Sequence, residues 1–96
     1  MAGVRLLIQF TAESREIADQ AIERLTERCK LCQQEPGCLQ FEVFRSALEP
    51  AHYVLLEHWA SQAALDVHAQ LNSRNPPPPT PGISRVREDY AHQTTP

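Results

Sequence analysis

The spacing of apolar residues changes several times along the chain, and each change marks an element. Residues 4–10, from Val4 to Phe10, are rich in branched and aromatic side chains and free of Gly and Pro, so they predict a strand. The period then lengthens. Ala18, Ile22, Leu25, Cys29 and Cys32 recur at spacings of four, three, four and three, the buried stripe of an amphipathic helix. Ser14 can cap that helix, Glu16 suits its positive N-terminal end, and the stripe runs to about Gln34. Pro36-Gly37 stops it: proline pre-sets the first turn angle and glycine accepts the positive φ that follows, so 35–38 is a tight turn into a second strand, 39–46.

Past a short loop around Glu49-Pro50, residues 53–59 predict a third strand, joined to the second as an antiparallel hairpin. Ser61 can cap a second helix with Ala64, Leu65, His68 and Leu71 on its inner stripe. Residues 75–82, Asn-Pro-Pro-Pro-Pro-Thr-Pro-Gly, can form neither helix nor central strand, because proline fixes φ and lacks the N–H donor. They are expected to be an extended connector, a simpler account than a polyproline ligand for another protein. Residues 83–90 alternate well enough for a fourth strand, and the tail 92–96 is expected to be loose.

The order βαββαβ is the split β-α-β arrangement, an α+β class with a four-stranded antiparallel sheet and two helices on one face. Strands one and three should then be central. Their composition agrees, whereas Ser84-Arg85-Val86-Arg87-Glu88-Asp89 carries the charge expected of an edge. Both central strands are apolar on both faces, with Val4, Leu6 and Ile8 opposite Leu7, and Val54 and Leu56 opposite Leu55. Two helices cover only one face, so the other predicts a second copy of the chain packed sheet to sheet.

Composition narrows the class. A chain of 96 residues, 42% hydrophobic and 22% charged with net charge −3, is expected to be one compact soluble domain over 1–96. No apolar stretch approaches the roughly 18–20 residues that span a bilayer, and 4–10 is too short and too broken by Arg5 and Gln9 for a signal sequence, so a cytoplasmic protein is expected. A pI near 5.7, with no basic stripe, argues against nucleic acid as a partner. Arg45, Arg85 and Arg87 read most simply as a solvated, partly salt-bridged edge.

Three cysteines cannot all pair within the chain. Cys29-Lys30-Leu31-Cys32 spells C-x-x-C, yet it falls at the end of a helical stripe and lacks the second pair of a zinc ribbon, so Cys29 and Cys32 read as small core residues. Cys38 is read the same way, on a strand. His52, His58 and His92 have no ligand spacing, and no metal is expected. His58 should face opposite Glu57 and Trp59, towards the partner chain.

Glu57 and His68 are a carboxylate and an imidazole at positions the pattern assigns to the interior. Glu57 and Trp59, two apart on a strand, share a face, and His68 lies on the inner stripe of the next helix. The three could line one pocket, with the imidazole as general base and the indole as a flat wall for an aromatic substrate. A buried Glu–His hydrogen bond that merely satisfies both groups is the structural alternative.

Glu35-Pro36-Gly37-Cys38-Leu39-Gln40-Phe41-Glu42-Val43-Phe44, and the E-x-W of Glu57 and Trp59 followed by His68, resemble the antibiotic biosynthesis monooxygenase domain family, which includes small quinol monooxygenases. The resemblance runs from Val4 to about Leu71. It implies a ferredoxin-like dimeric α+β barrel whose oxygenating members act on hydroquinones or reduced aromatic polyketides with O2, typically without metal, flavin or other cofactor. By that likeness His68 would take the phenolic proton, Glu57 would orient it, Trp59 would hold the ring, and Phe41 and Tyr53 would belong to the wall. The chain departs from the family at 72–82, a short proline-rich bridge where relatives commonly have a longer helical segment that closes the pocket. Haem-degrading relatives share the strand with Trp59; in that reading His68 is an axial ligand and Gln9 the first-strand amide. A non-catalytic dimeric module binding a small aromatic ligand is the third reading.

Overall fold

The computed structural model describes residues 3–76 and 80–92. Its elements are β1 (Gly3–Ala12), α1 (Arg15–Cys32), β2 (Cys38–Arg45), β3 (His52–Trp59), α2 (Gln62–Arg74) and β4 (Ile83–His92). The strands form one antiparallel sheet in the order β2-β3-β1-β4, with the two most apolar strands central as their composition requires. This is the ferredoxin-like α+β arrangement. No helix among the described residues is long and apolar enough to cross a membrane.

Both helices begin at the serines the sequence points to. Ser14 Oγ accepts the Ile17 N–H at 3.2 Å and Ser61 Oγ accepts the Ala64 N–H at 3.1 Å, each satisfying a donor the first helical turn leaves unpaired. The turn after α1 closes with Cys38 N–H donating to Glu35 O at 3.1 Å, and Gly37 takes φ +81°. Gly37 O also accepts the Ala60 N–H at 2.8 Å, so the turn is tied to the β3–α2 junction. A Cβ on Gly37 would stand 2.6 Å from the Ala64 Cβ, so glycine is needed here for both φ and close approach.

Alternation sorts the strands into two faces. Leu6, Ile8, Phe41, Leu55 and Trp59 are buried beneath the helices, where Leu65, Cys29 and Cys32 meet them. The cysteines therefore serve as core residues, as expected. On the other face Leu7, Val54 and Leu56 are half-buried, and Phe44, Val86 and Tyr90 are exposed. The register places Phe44 against Val54 and Val86 against Gln9, so these residues share that open face.

Three details depart from the expected pattern. Ala21 joins the buried stripe of α1, while Ile22 and Leu25 are only partly buried. Leu71 is 42% exposed, and Asn72, four residues from His68 and hence on its face of α2, points inward instead. The strand expected to end at 90 continues to His92, because β1 offers a partner as far as Gly3. Of the connector 75–82, residues 77–79 lie outside the described residues, as does 93–96 of the expected loose tail. At the connector's end Gly82, at φ +80°, accepts the Glu13 N–H at 2.8 Å.

Candidate active site

A cavity of about 570 Å³ lies between the helices and the sheet, within the size range of small-molecule sites. Its floor is apolar, with Leu6, Ile8 and Leu55 from the sheet, and Phe41 and Tyr53 also line it. Two polar groups of the interior, Glu57 and His68, reach it at 4% exposure each.

His68 is held from both sides. Its Nδ1 lies 3.0 Å from both carboxylate oxygens of Glu35, and its Nε2 lies 3.1 Å from Asn72 Nδ2. Arg28 donates to Asn72 Oδ1, which fixes that amide so that its N–H points to His68. The network has one consistent proton assignment: Nδ1–H donates to Glu35, and the Nε2 lone pair accepts from Asn72 and faces the cavity. An imidazole oriented by a carboxylate at one nitrogen and basic at the other is the arrangement general-base chemistry needs.

The carboxylate that holds the ring is therefore Glu35, in the turn, rather than Glu57 as the sequence suggested. Glu57 Oε1 stands 3.9 Å from His68 Nε2 and accepts the Trp59 indole N–H at 3.0 Å. Burial holds the Glu57 carboxyl above its ordinary range, opposed first by the Trp59 hydrogen bond and then by His68. Trp59 itself is fully buried and does not line the cavity. It packs behind His68 with ring centroids 4.7 Å apart, while Phe41 meets the same imidazole edge-on at 5.6 Å. Trp59 thus supports the catalytic candidate from the rear, where the sequence had it gripping the substrate.

Gln9, the amide the haem reading would use, points to the open face and donates to Glu88 at 3.2 Å. Arg45 pairs with Asp19 and Arg87 with Asp89, each at 2.7 Å, as a partly salt-bridged edge would, and Arg85 and Arg87 also line the cavity. Cys32 Sγ, a Glu35 oxygen and His68 Nδ1 lie within 4.8 Å of one another, the composition of a metal-binding group. Burial, with a smaller contribution from Glu35, pushes the Cys32 thiol up to about 12.

Sequence reasoning passed over Glu35 and Asn72. Asn72 carried a signal, its i+4 spacing from His68. Glu35 carried none beyond preceding the Pro-Gly turn, since its meeting with α2 depends on where the turn docks.

Comparison with known proteins agrees on the fold. SnoaB, a cofactor-independent oxygenase of Streptomyces nogalater, aligns with TM-score 0.63 at 14% identity over 97% of this chain and 95% of its own. A protein of Pseudomonas aeruginosa aligns with TM-score 0.78 at 17% identity over 99% and 97%, and one of Bacteroides thetaiotaomicron with 0.77 at 19% over 94% and 97%. No curated protein matches the chain in sequence. The pattern of one family matches residues 3–73, so with the fold described above this chain belongs to the antibiotic biosynthesis monooxygenase (ABM) family.

Proposed function

We propose that the protein is a cofactor-independent monooxygenase acting on a small reduced aromatic, hydroquinone-like or anthrone-like, with O2. The observation that carries this reading is His68, anchored at Nδ1 by Glu35 and presenting Nε2 to an apolar cavity. A phenol entering the cavity replaces the Asn72 amide at Nε2 and gives up its proton there. The resulting electron-rich anion passes one electron to O2, and recombination at the ring carbon forms a peroxide. Loss of water leaves a carbonyl: one oxygen atom stays on carbon, the other departs with the two hydrogens of the substrate's CH2 in the anthrone case. The protein's share is proton removal, orientation between Phe41 and Tyr53, and exclusion of water.

In this reading the open face receives a second copy of the chain, sheet to sheet. Leu7, Val54, Leu56, Phe44 and Val86 form an apolar surface that no element among the described residues covers. The haem reading lacks comparable support, since Gln9, the amide it would use, faces away from the cavity.

Oxygen uptake by the purified, metal-free protein with a panel of hydroquinones and anthrones tests the proposal. Uptake above the spontaneous rate is expected, with a loss of about 100-fold or more in His68→Ala. No uptake with any member overturns it.

A further inference from the structure

The chain is acidic overall, with net charge −3, yet four of its eight arginines line the one cavity described above: Arg24, Arg28, Arg85 and Arg87. Among the described residues the lining holds a single carboxylate, Glu57. An apolar floor beneath a cationic rim is suited to an aromatic molecule that also carries negative charge.

The four arginines divide into two pairs along the cavity. Arg87 lies opposite Ile8, which is opposite Leu55; Arg85 lies opposite Phe10, which is opposite Tyr53. Arg85 is therefore two same-face steps from the Glu57 level, about 13 Å along the strand. On α1 the same order holds, because Arg28 reaches Asn72 beside His68, and Arg24 is one turn further away, close enough to act on the Tyr53 hydroxyl.

The inner pair is already engaged, Arg28 with Asn72 and Arg87 with Asp89 at 2.7 Å. Arg24 and Arg85, the outer pair, have no ion pair among the described residues, and they approach the same end of the cavity from a helix and a strand. We propose that the ligand carries an anionic group, a carboxylate in the simplest case, at the end remote from its reacting hydroxyl, and that Arg24 and Arg85 receive it. The pairing of charge with distance makes the ligand longer than one ring, with hydroxyl and carboxylate at opposite ends. The placement of the hydroxyl at His68 rests on the monooxygenase reading; the anion site does not.

Calorimetric titration with 6-hydroxy-2-naphthoate, its uncharged amide and the adjacent isomer 3-hydroxy-2-naphthoate tests the inference. The 6-hydroxy acid is expected to bind about tenfold or more tighter than the amide, and tighter than the adjacent isomer. Arg24→Gln with Arg85→Gln, two exposed positions, should bring acid and amide to parity, whereas Arg74→Gln, outside the cavity, should leave the preference intact. Equal affinity of acid and amide, binding of neither, or a preference that survives the double substitution or falls equally with Arg74→Gln overturns the anion site. An adjacent isomer that binds as tightly as the 6-hydroxy acid overturns the end-to-end placement. If the preference holds while no substrate supports oxygen uptake, the monooxygenase reading fails and the anion site stands. If uptake occurs without the preference, the anion site fails and the monooxygenase reading stands.

Discussion

Leu55 and Leu56 are neighbours on β3 with the same side chain and opposite fates. Leu55 is 5% exposed beneath the helices, and Leu56 is half-buried on a sheet face that no element among the described residues covers. The contrast repeats one step on, where Glu57 is buried within the Trp59–His68 group and His58 lies on the open face. A strand assigns residues to faces by its period of two, but what a face becomes depends on what packs against it. The helix-covered face can hold a buried carboxylate because Trp59 and His68 surround it. The open face instead sets Leu7, Val54 and Leu56 among polar residues such as Gln9, Glu88 and His58.

The largest test sets the two leucines against each other. Leu55→Ala is expected to cost about 2–5 kcal/mol in urea unfolding, because a buried leucine leaves a cavity. Leu56→Arg should cost the isolated chain less than about 1 kcal/mol, yet shift sedimentation from dimer to monomer. A wild-type monomer, or a Leu56→Arg dimer as tight as wild type, would sink the assignment of the open face to a second copy. Equal cost of the two substitutions in dilute protein would break the contrast itself.

Gly37→Ala comes next. It forces a side chain into φ +81° and against Ala64, at an expected cost of about 1–3 kcal/mol by urea unfolding. Because the same turn carries Glu35 to His68, oxygen uptake should fall even at temperatures where the variant is fully folded. Uptake equal to wild type would show that the Glu35 anchor is dispensable.

The smallest effect concerns pH. Burial raises the Glu57 carboxyl, so the folded state holds its proton more tightly than the unfolded chain does. Stability from this group is then greatest below the ordinary carboxylate range and declines as pH rises through the raised value. Glu57→Gln keeps an oxygen to accept the Trp59 N–H but removes the buried charge. It should melt higher than wild type at pH 8, with the difference shrinking towards pH 4. Parallel melting curves across that range would show that the charge of Glu57 carries no such penalty.

Much of this was legible in the sequence. Ser14 and Ser61 announced both helix starts, Pro36-Gly37 the turn, and the apolar runs around Leu7 and Leu55 the two central strands, because capping, turn and pleat preferences act within a few residues. His68 and Glu57 could be placed on inward faces by period alone. Their roles could not. The structure gives the imidazole to Glu35, sets Trp59 behind it, and turns Arg85 and Arg87 into the cavity.

The sequence by itself determined the order of elements, the strands at the centre of the sheet and the residues that face inward, since these follow from local spacing. Only the tertiary structure decided which carboxylate holds His68 and which arginines share its cavity. Glu35 and His68 are 33 residues apart. Their meeting is fixed by the docking of a Gly37 turn onto Ala64, a contact between distant segments that no local period encodes.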